Sequence, residues 1–305
     1  MRRSMPRTLL LTLAIAAAGF QPPAPPPTSA PPPDTDIFLA SFAPRAQPAI
    51  GRAVNITQTP GYDNQPSFTP DGAAILFTSN RGAAQTDIYR YDVAGGETTR
   101  VTNTPESEYS PTATPDGAHI SVVRVEADGT QRLWRFTLDG RSPERVLEGV
   151  KGVGYHAWCD DHTLALFVLG QPATLQIADT RSGRAEEIAR SILRSIQRIP
   201  RSGTISFVDK DEDGSLMVRE LDPKTRSVTT LVAAVRGAKE ADLAWTPDGR
   251  LLMAEKDVLY AWTRDARGWT RVADLGALGI HGATRLAVSP KGDRIAIVAA
   301  GARQP

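Results

Sequence analysis

Cysteine is nearly absent. Cys159 is the single one among 305 residues, so no intrachain disulfide can form. Histidine is scarce too, with four, which leaves little material for a nitrogen-rich metal centre. Neither sign of charge dominates, because 35 basic side chains stand against 34 acidic ones; a nucleic-acid binder would show a basic patch. No apolar run approaches the roughly 20 residues that span a bilayer. No G-x-S-x-G elbow occurs, which removes a hydrolase of the prolyl-oligopeptidase type. What is plentiful is proline (24) and glycine (25), set between short β-branched runs.

Arg2, Arg3 and Arg7 precede "TLLLTLAIAAAG", an apolar run closing on Ala16, Ala17 and Ala18. This is the pattern of a secretory signal peptide, expected over 1–18 with a mature start near Gly19. No cysteine follows the run to carry a lipid anchor. "QPPAPPPTSAPPP" at 21–33 favours polyproline II, so 19–34 is expected to be a disordered, semi-rigid tether. The expected location is periplasmic or secreted, with the folded part over 35–305.

A short motif repeats through that part. "FTPDGAAILF" at 68–77 recurs as "ATPDGAHISV" at 113–122, "WTPDGRLLMA" at 245–254 and "VSPKGDRIAI" at 288–297. Degenerate copies stand at 158–167 and 199–208. Counted from Thr69, Thr114, Cys159, Pro200, Thr246 and Ser289, the intervals are 45, 45, 41, 46 and 43 residues. Strand alternation at that period predicts an all-β, six-bladed β-propeller of four-stranded antiparallel blades. Phe68, Ala113, Trp158, Ile199, Trp245 and Val288 precede the turn in the six copies, all apolar, as blade-to-blade packing requires.

The sixth copy stops after two strands. "TDIFLASF" at 35–42 reads like the third strand "TDIYRYDV" at 86–93, and "GRAVNITQTPG" at 51–61 like the fourth. The last blade is therefore expected to be closed by N- and C-terminal strands. With [ST]-P-D-G turns, "FTSNRG" at 77–82 and "DIYRYD" at 87–92, the chain resembles the TolB-like propellers, the WD40-like PD40 repeat family. The resemblance covers roughly 35–300 and implies the fold and a partner held over the central opening. Full-length TolB carries an α/β domain ahead of its propeller, where a proline-rich stretch stands here.

"DKDEDGSLMVRE" at 209–220 matches an EF-hand loop in spacing. Its register argues otherwise, because β-branched residues precede it and Pro223 follows, where an EF-hand needs helices. The expectation is a hairpin with solvated carboxylates. The alternative is a calcium site of Asp209, Asp211 and Asp213 with a backbone carbonyl, and no other cofactor is expected. Cys159 stands where other blades have Thr or Ser, a small filler.

His156 and His281 fall in opposite blades of the ring but about 16 Å out of register along a strand, so a shared metal is not expected. If each inner strand runs from the top face down to its T-P-D-G turn, the strand starts share the top. These candidate partner-binding positions are Asp63, Asn64 and Gln65, then Glu108 and Tyr109, then Tyr155, Arg194, Glu240, Asp242 and Arg285. No catalytic residue is assigned. The expected function is a non-enzymatic exported scaffold binding another envelope or secreted protein or peptide, with neither nucleic acid nor membrane span. The alternative is a propeller enzyme of lyase or lactonase type acting on a sugar or lactone in the central pocket.

Overall fold

The computed structural model describes residues 32–43, 48–81 and 83–301. The expected signal peptide, and the tether as far as residue 31, lie outside the described residues. Every sheet has four antiparallel strands, and there are six sheets. β1 (Thr35–Ala43) and β2 (Ala49–Asn55) come first. Blade one is β3 (Asp63–Phe68), β4 (Ala74–Ser79), β5 (Asp87–Asp92) and β6 (Thr98–Arg100). Blade two is β7 (Ser107–Ala113), β8 (His119–Val125), β9 (Gln131–Thr137) and β10 (Glu144–Arg145). Blade three is β11 (Val153–Trp158), β12 (Thr163–Val168), β13 (Thr174–Asp179) and β14 (Arg184–Arg190). Blade four is β15 (Ile192–Arg198), β16 (Ile205–Lys210), β17 (Leu216–Leu221) and β18 (Val228–Ala233). Blade five is β19 (Leu243–Trp245), β20 (Leu251–Glu255), β21 (Val258–Trp262) and β22 (Thr270–Asp274). β23 (Arg285–Val288) and β24 (Arg294–Ala300) end the chain. Among the described residues the one helical turn is Gly276–Leu278.

The sixth blade has the order β2-β1-β24-β23, so both ends of the chain build it. β1 pairs with β24 from Thr35↔Ala300 to Ser41↔Arg294. The expected clasp is present. Without it β24 would offer an unpaired edge.

Six apolar clusters fill the six seams between blades. Phe77 and Ile75 meet Val298 between blades one and six, and Phe136 and Val122 meet Ile88 between two and one. Leu164 and Leu166 meet Val123 and Leu133 between three and two, and Phe207 meets Ala165 and Ile177 between four and three. Trp245 and Met253 pack on Val208 and Val218 between five and four, and Ile295 and Ile297 on Leu252 and Leu259 between six and five. Each blade is apolar on both faces, so no helices are needed to cover it.

The T-P-D-G turn holds itself. Thr69 Oγ1 donates to Asp71 Oδ1 at 2.6 Å, and the same oxygen accepts from Ala73 N at 3.0 Å. Thr114 and Asp116 repeat the arrangement at 2.5 Å, as do Thr246 and Asp248 at 2.5 Å. Gly72 takes φ +71°, where a side chain would strain the backbone. Burial opposes ionisation of Asp116, but hydrogen bonds from Thr114, Ala118 and His119 hold its carboxyl down at about 2.

Candidate functional site

The innermost strands β3, β7, β11, β15, β19 and β23 wall a central cavity of about 700 Å³. Its lining begins at Gln65, Ser110, Tyr155, Arg194, Asp242 and Arg285, one residue from each blade. It ends among the turns at Pro70, Pro115, Asp161, Pro200 and Pro290. Of these Pro70, Pro115, Asp161 and Pro290 are exposed, so the cavity opens at the bottom face.

Five of the expected residues form one network at the other end. Arg194 donates to Asp242 at 2.8 and 3.1 Å and meets Glu240 at 2.7 Å. Arg285 stands 3.8 Å from Asp242 and donates to the Tyr155 hydroxyl at 2.8 Å. Blades six and three face each other across the ring, so that last bond crosses the axis. The Arg285 guanidinium also lies 5.0 Å from the Tyr155 ring centre, and Tyr155 packs edge-on to Phe167 at 5.7 Å. Burial alone would lower the Arg285 pKa; the nearby Asp242 carboxylate reverses that and raises it.

Tyr62, one residue before the expected Asp63, belongs to the same end. It meets Tyr109 edge-on at 6.5 Å. Burial pushes its phenol up to about 12, while Arg285, Tyr155, Tyr109 and Arg194 all act on it electrically. Those groups come from four other blades. The sequence signal was an aromatic in a strand-start loop, without an equivalent one repeat later.

Asp63, Asn64 and Glu108 lie beneath the top rim. Asp63 and Glu108 are both 0% exposed. Asp63 accepts from Thr59 at 2.9 Å, and its carboxyl is raised chiefly by burial. Glu108 accepts from Thr102 at 3.0 Å and from Thr104, with Arg124 at 3.5 Å; burial pushes it up to about 7. Asn64 Oδ1 accepts from Gln65 N at 2.8 Å. Gln65, at φ 57°, ties blade one to blade two: its Oε1 accepts from Thr78 at 2.8 Å and Ser110 N at 2.8 Å.

The histidines separate as expected. His156 is buried against Ser121, Nε2 to Oγ 2.7 Å, and burial lowers its pKa to about 4. Trp158 Nε1 donates to the same hydroxyl at 2.9 Å, and Trp245 repeats this on Ser206 at 2.8 Å. His281 is exposed beside Asp257 at 2.9 Å. Cys159 is buried, its thiol pushed up to about 12 by burial and by Asp160.

The acidic hairpin joins β16 to β17, which removes the EF-hand geometry. Arg219 donates to Asp209 at 2.9 Å and also holds Asp211. Asp213 accepts from Ser215 N at 2.9 Å, and Glu220 turns to Thr204 and Arg264 at the opposite end of the strands. Among the described residues no group of three or more His, Cys, Asp or Glu is arranged to hold a metal ion.

Residues 48–171 match a family model described as the PD40 TolB beta propeller domain. The chain is a six-bladed β-propeller that is similar to TolB propellers over that stretch. A 42-residue stretch of this chain is 48% identical to the Tol-Pal system protein TolB of Bordetella pertussis. That stretch is 14% of this chain and 9% of the relative's length. A structure assigned to TolB from Agrobacterium tumefaciens aligns with TM-score 0.68 at 17% identity, covering 87% of this chain and 98% of that one. TolB from Acinetobacter baumannii aligns at 0.58 and 15% identity, covering 87% and 64%. An oligogalacturonate lyase in complex with manganese aligns at 0.57 and 15%, covering 82% and 80%. At these identities the structural likenesses show the fold alone. Enzymes and Tol proteins share it, so the site must carry the function.

Proposed function

We propose that this TolB-like propeller is an exported, non-enzymatic binding protein that holds a protein or peptide segment at its central channel. The observation that carries the reading is the channel wall: Tyr155, Arg194, Asp242 and Arg285, from four blades, in one network of hydrogen bonds and ion pairs. Tyrosine and arginine are residues that anchor protein interfaces. The Bordetella relative is named for a Tol-Pal system, which supports an envelope or secreted protein as the partner and the periplasm as the place. Residues 1–34 are proposed to direct export, and a fusion to a reporter active only outside the cytoplasm should be active.

Capture from envelope extract by the immobilised mature chain tests the reading. Tyr109→Ala, Tyr155→Ala and Arg194→Ala, each checked for a cooperative melt, are expected to capture less of any partner retained by the parent. Equal capture by all of them overturns it.

A further inference from the structure

Arg285 crosses the axis to meet Tyr155. Together they bar the cavity at its top end, while exposed prolines rim the bottom. The channel is thus a funnel bridged at its top end and open at the bottom. At its closed end the two guanidiniums lie deeper than one of their two carboxylates. The Arg285 side chain is 12% exposed and that of Arg194 25%, against Asp242 at 10%. Glu240, the other carboxylate of the network, is 61% exposed and solvated. Two enclosed guanidiniums thus share one enclosed carboxylate, and buried charge demands a partner.

The guanidinium of Arg285 has five N–H donors, and among the described residues one is within hydrogen-bonding distance of an acceptor, the Tyr155 oxygen. Farther down the wall, Arg198 is exposed and, among the described residues, forms no ion pair. Two other wall residues hold buried polar atoms without a protein partner, Ser110 Oγ and His156 Nδ1. Ser121 gives its one hydroxyl proton to Thr112 O, so His156 Nε2 donates to Ser121 and Nδ1 is left as an acceptor. Along the wall three arginines, Arg194, Arg198 and Arg285, stand against two carboxylates, Asp161 and Asp242.

We infer that the funnel is a carboxylate site, taking a C-terminal or Asp/Glu carboxylate of an extended peptide that enters from the bottom face and meets Arg194 and Arg285 at the closed end. This rests on the binding role proposed above and specifies its ligand chemistry and its face. Guanidinium suits the task because it presents paired donors to a planar carboxylate.

Three pools of random pentapeptides passed over the immobilised full chain test it. One has free C-termini and no Asp or Glu, one is amidated but contains Asp and Glu, and one is amidated and lacks both. Either carboxylate pool, or both, should be retained about tenfold or more above the neutral pool, and the two arms distinguish terminal from side-chain carboxylate. Arg285→Gln should abolish the preference and Arg285→Lys should keep part of it. Should Arg285→Gln melt without cooperativity, Arg198→Gln, on the exposed wall, is expected to weaken the preference several-fold. Arg271→Gln, on an outer strand, should leave it intact. A bulky maleimide label on Pro70→Cys at the bottom rim should block retention, Cys159 being buried. Equal retention of all pools, or retention of none, overturns the inference. If envelope capture still depends on the channel variants in that case, the binding role survives without the carboxylate.

Discussion

Arg285 of the sixth blade and Tyr155 of the third meet across the ring, 2.8 Å from guanidinium nitrogen to phenol oxygen. They are 130 positions apart in the chain, and their contact requires that all six blades close. Tyr155→Phe keeps the ring on Phe167 and deletes the acceptor. The cost of an unsatisfied buried donor is about 1–3 kcal/mol, so a thermal melt should fall by a few degrees. Asp242→Asn should cost more, because it leaves two enclosed guanidiniums together. An unchanged melting point for both variants contradicts the network.

Closure by the termini is tested by removing residues 35–58, which takes away β1 and β2. The β24 edge then lies open along its whole length. Aggregation or loss of a cooperative melt is expected. A truncated chain that melts like the parent contradicts the clasp.

Two buried groups give stability opposite pH slopes. Glu108, raised from 4.5 to about 7, binds more protons folded than unfolded in that window, so its contribution falls as pH rises from about 4.5 to 7. His156, lowered from 6.5 to about 4, binds fewer, so its contribution rises with pH from about 4 to 6.5. They offset one another below 6.5. Glu108→Gln should therefore expose a rising slope between pH 4 and 6.5 and raise stability at pH 8. His156→Gln should leave the falling slope. Denaturant titrations across that range read both, and parallel profiles for parent and variants contradict the assignment.

The hairpin at 209–213 is expected to need no metal, because Arg219 already serves Asp209 and Asp211. Adding a calcium chelator should leave the melting point where it was. Arg219→Gln should lower it, as two adjacent carboxylates lose their shared counter-charge. A drop of several degrees with chelator in the parent chain would establish a calcium site instead.

The blades were legible because each T-P-D-G turn has a local cause: glycine at positive φ and an aspartate closing on its threonine. The site was legible only in part. Blades three and six were correctly paired across the ring, but through His156 and His281. One residue earlier in β11, Tyr155 is the side chain that reaches the axis, because a single step along a strand switches sides. Asp63 and Glu108 looked like rim carboxylates. Their companions were nevertheless in the sequence: Thr57, Thr59 and Asp63 recur 45 positions on as Thr102, Thr104 and Glu108, and the pattern is a buried hydrogen-bonded lock. Polarity alone did not reveal that those threonines turn inward.

Site-specific photo-crosslinking in envelope extract bears most directly on the channel as the binding site. One probe replaces Ser67 in the channel wall, and the other replaces Thr99 on the exposed outer strand β6. Crosslinks to a distinct partner are expected from Ser67 and not from Thr99, and they should vanish when Arg194→Ala is added. Crosslinks from Thr99 with none from Ser67, or Ser67 crosslinks indifferent to Arg194→Ala, would contradict the assignment of the channel as the binding site.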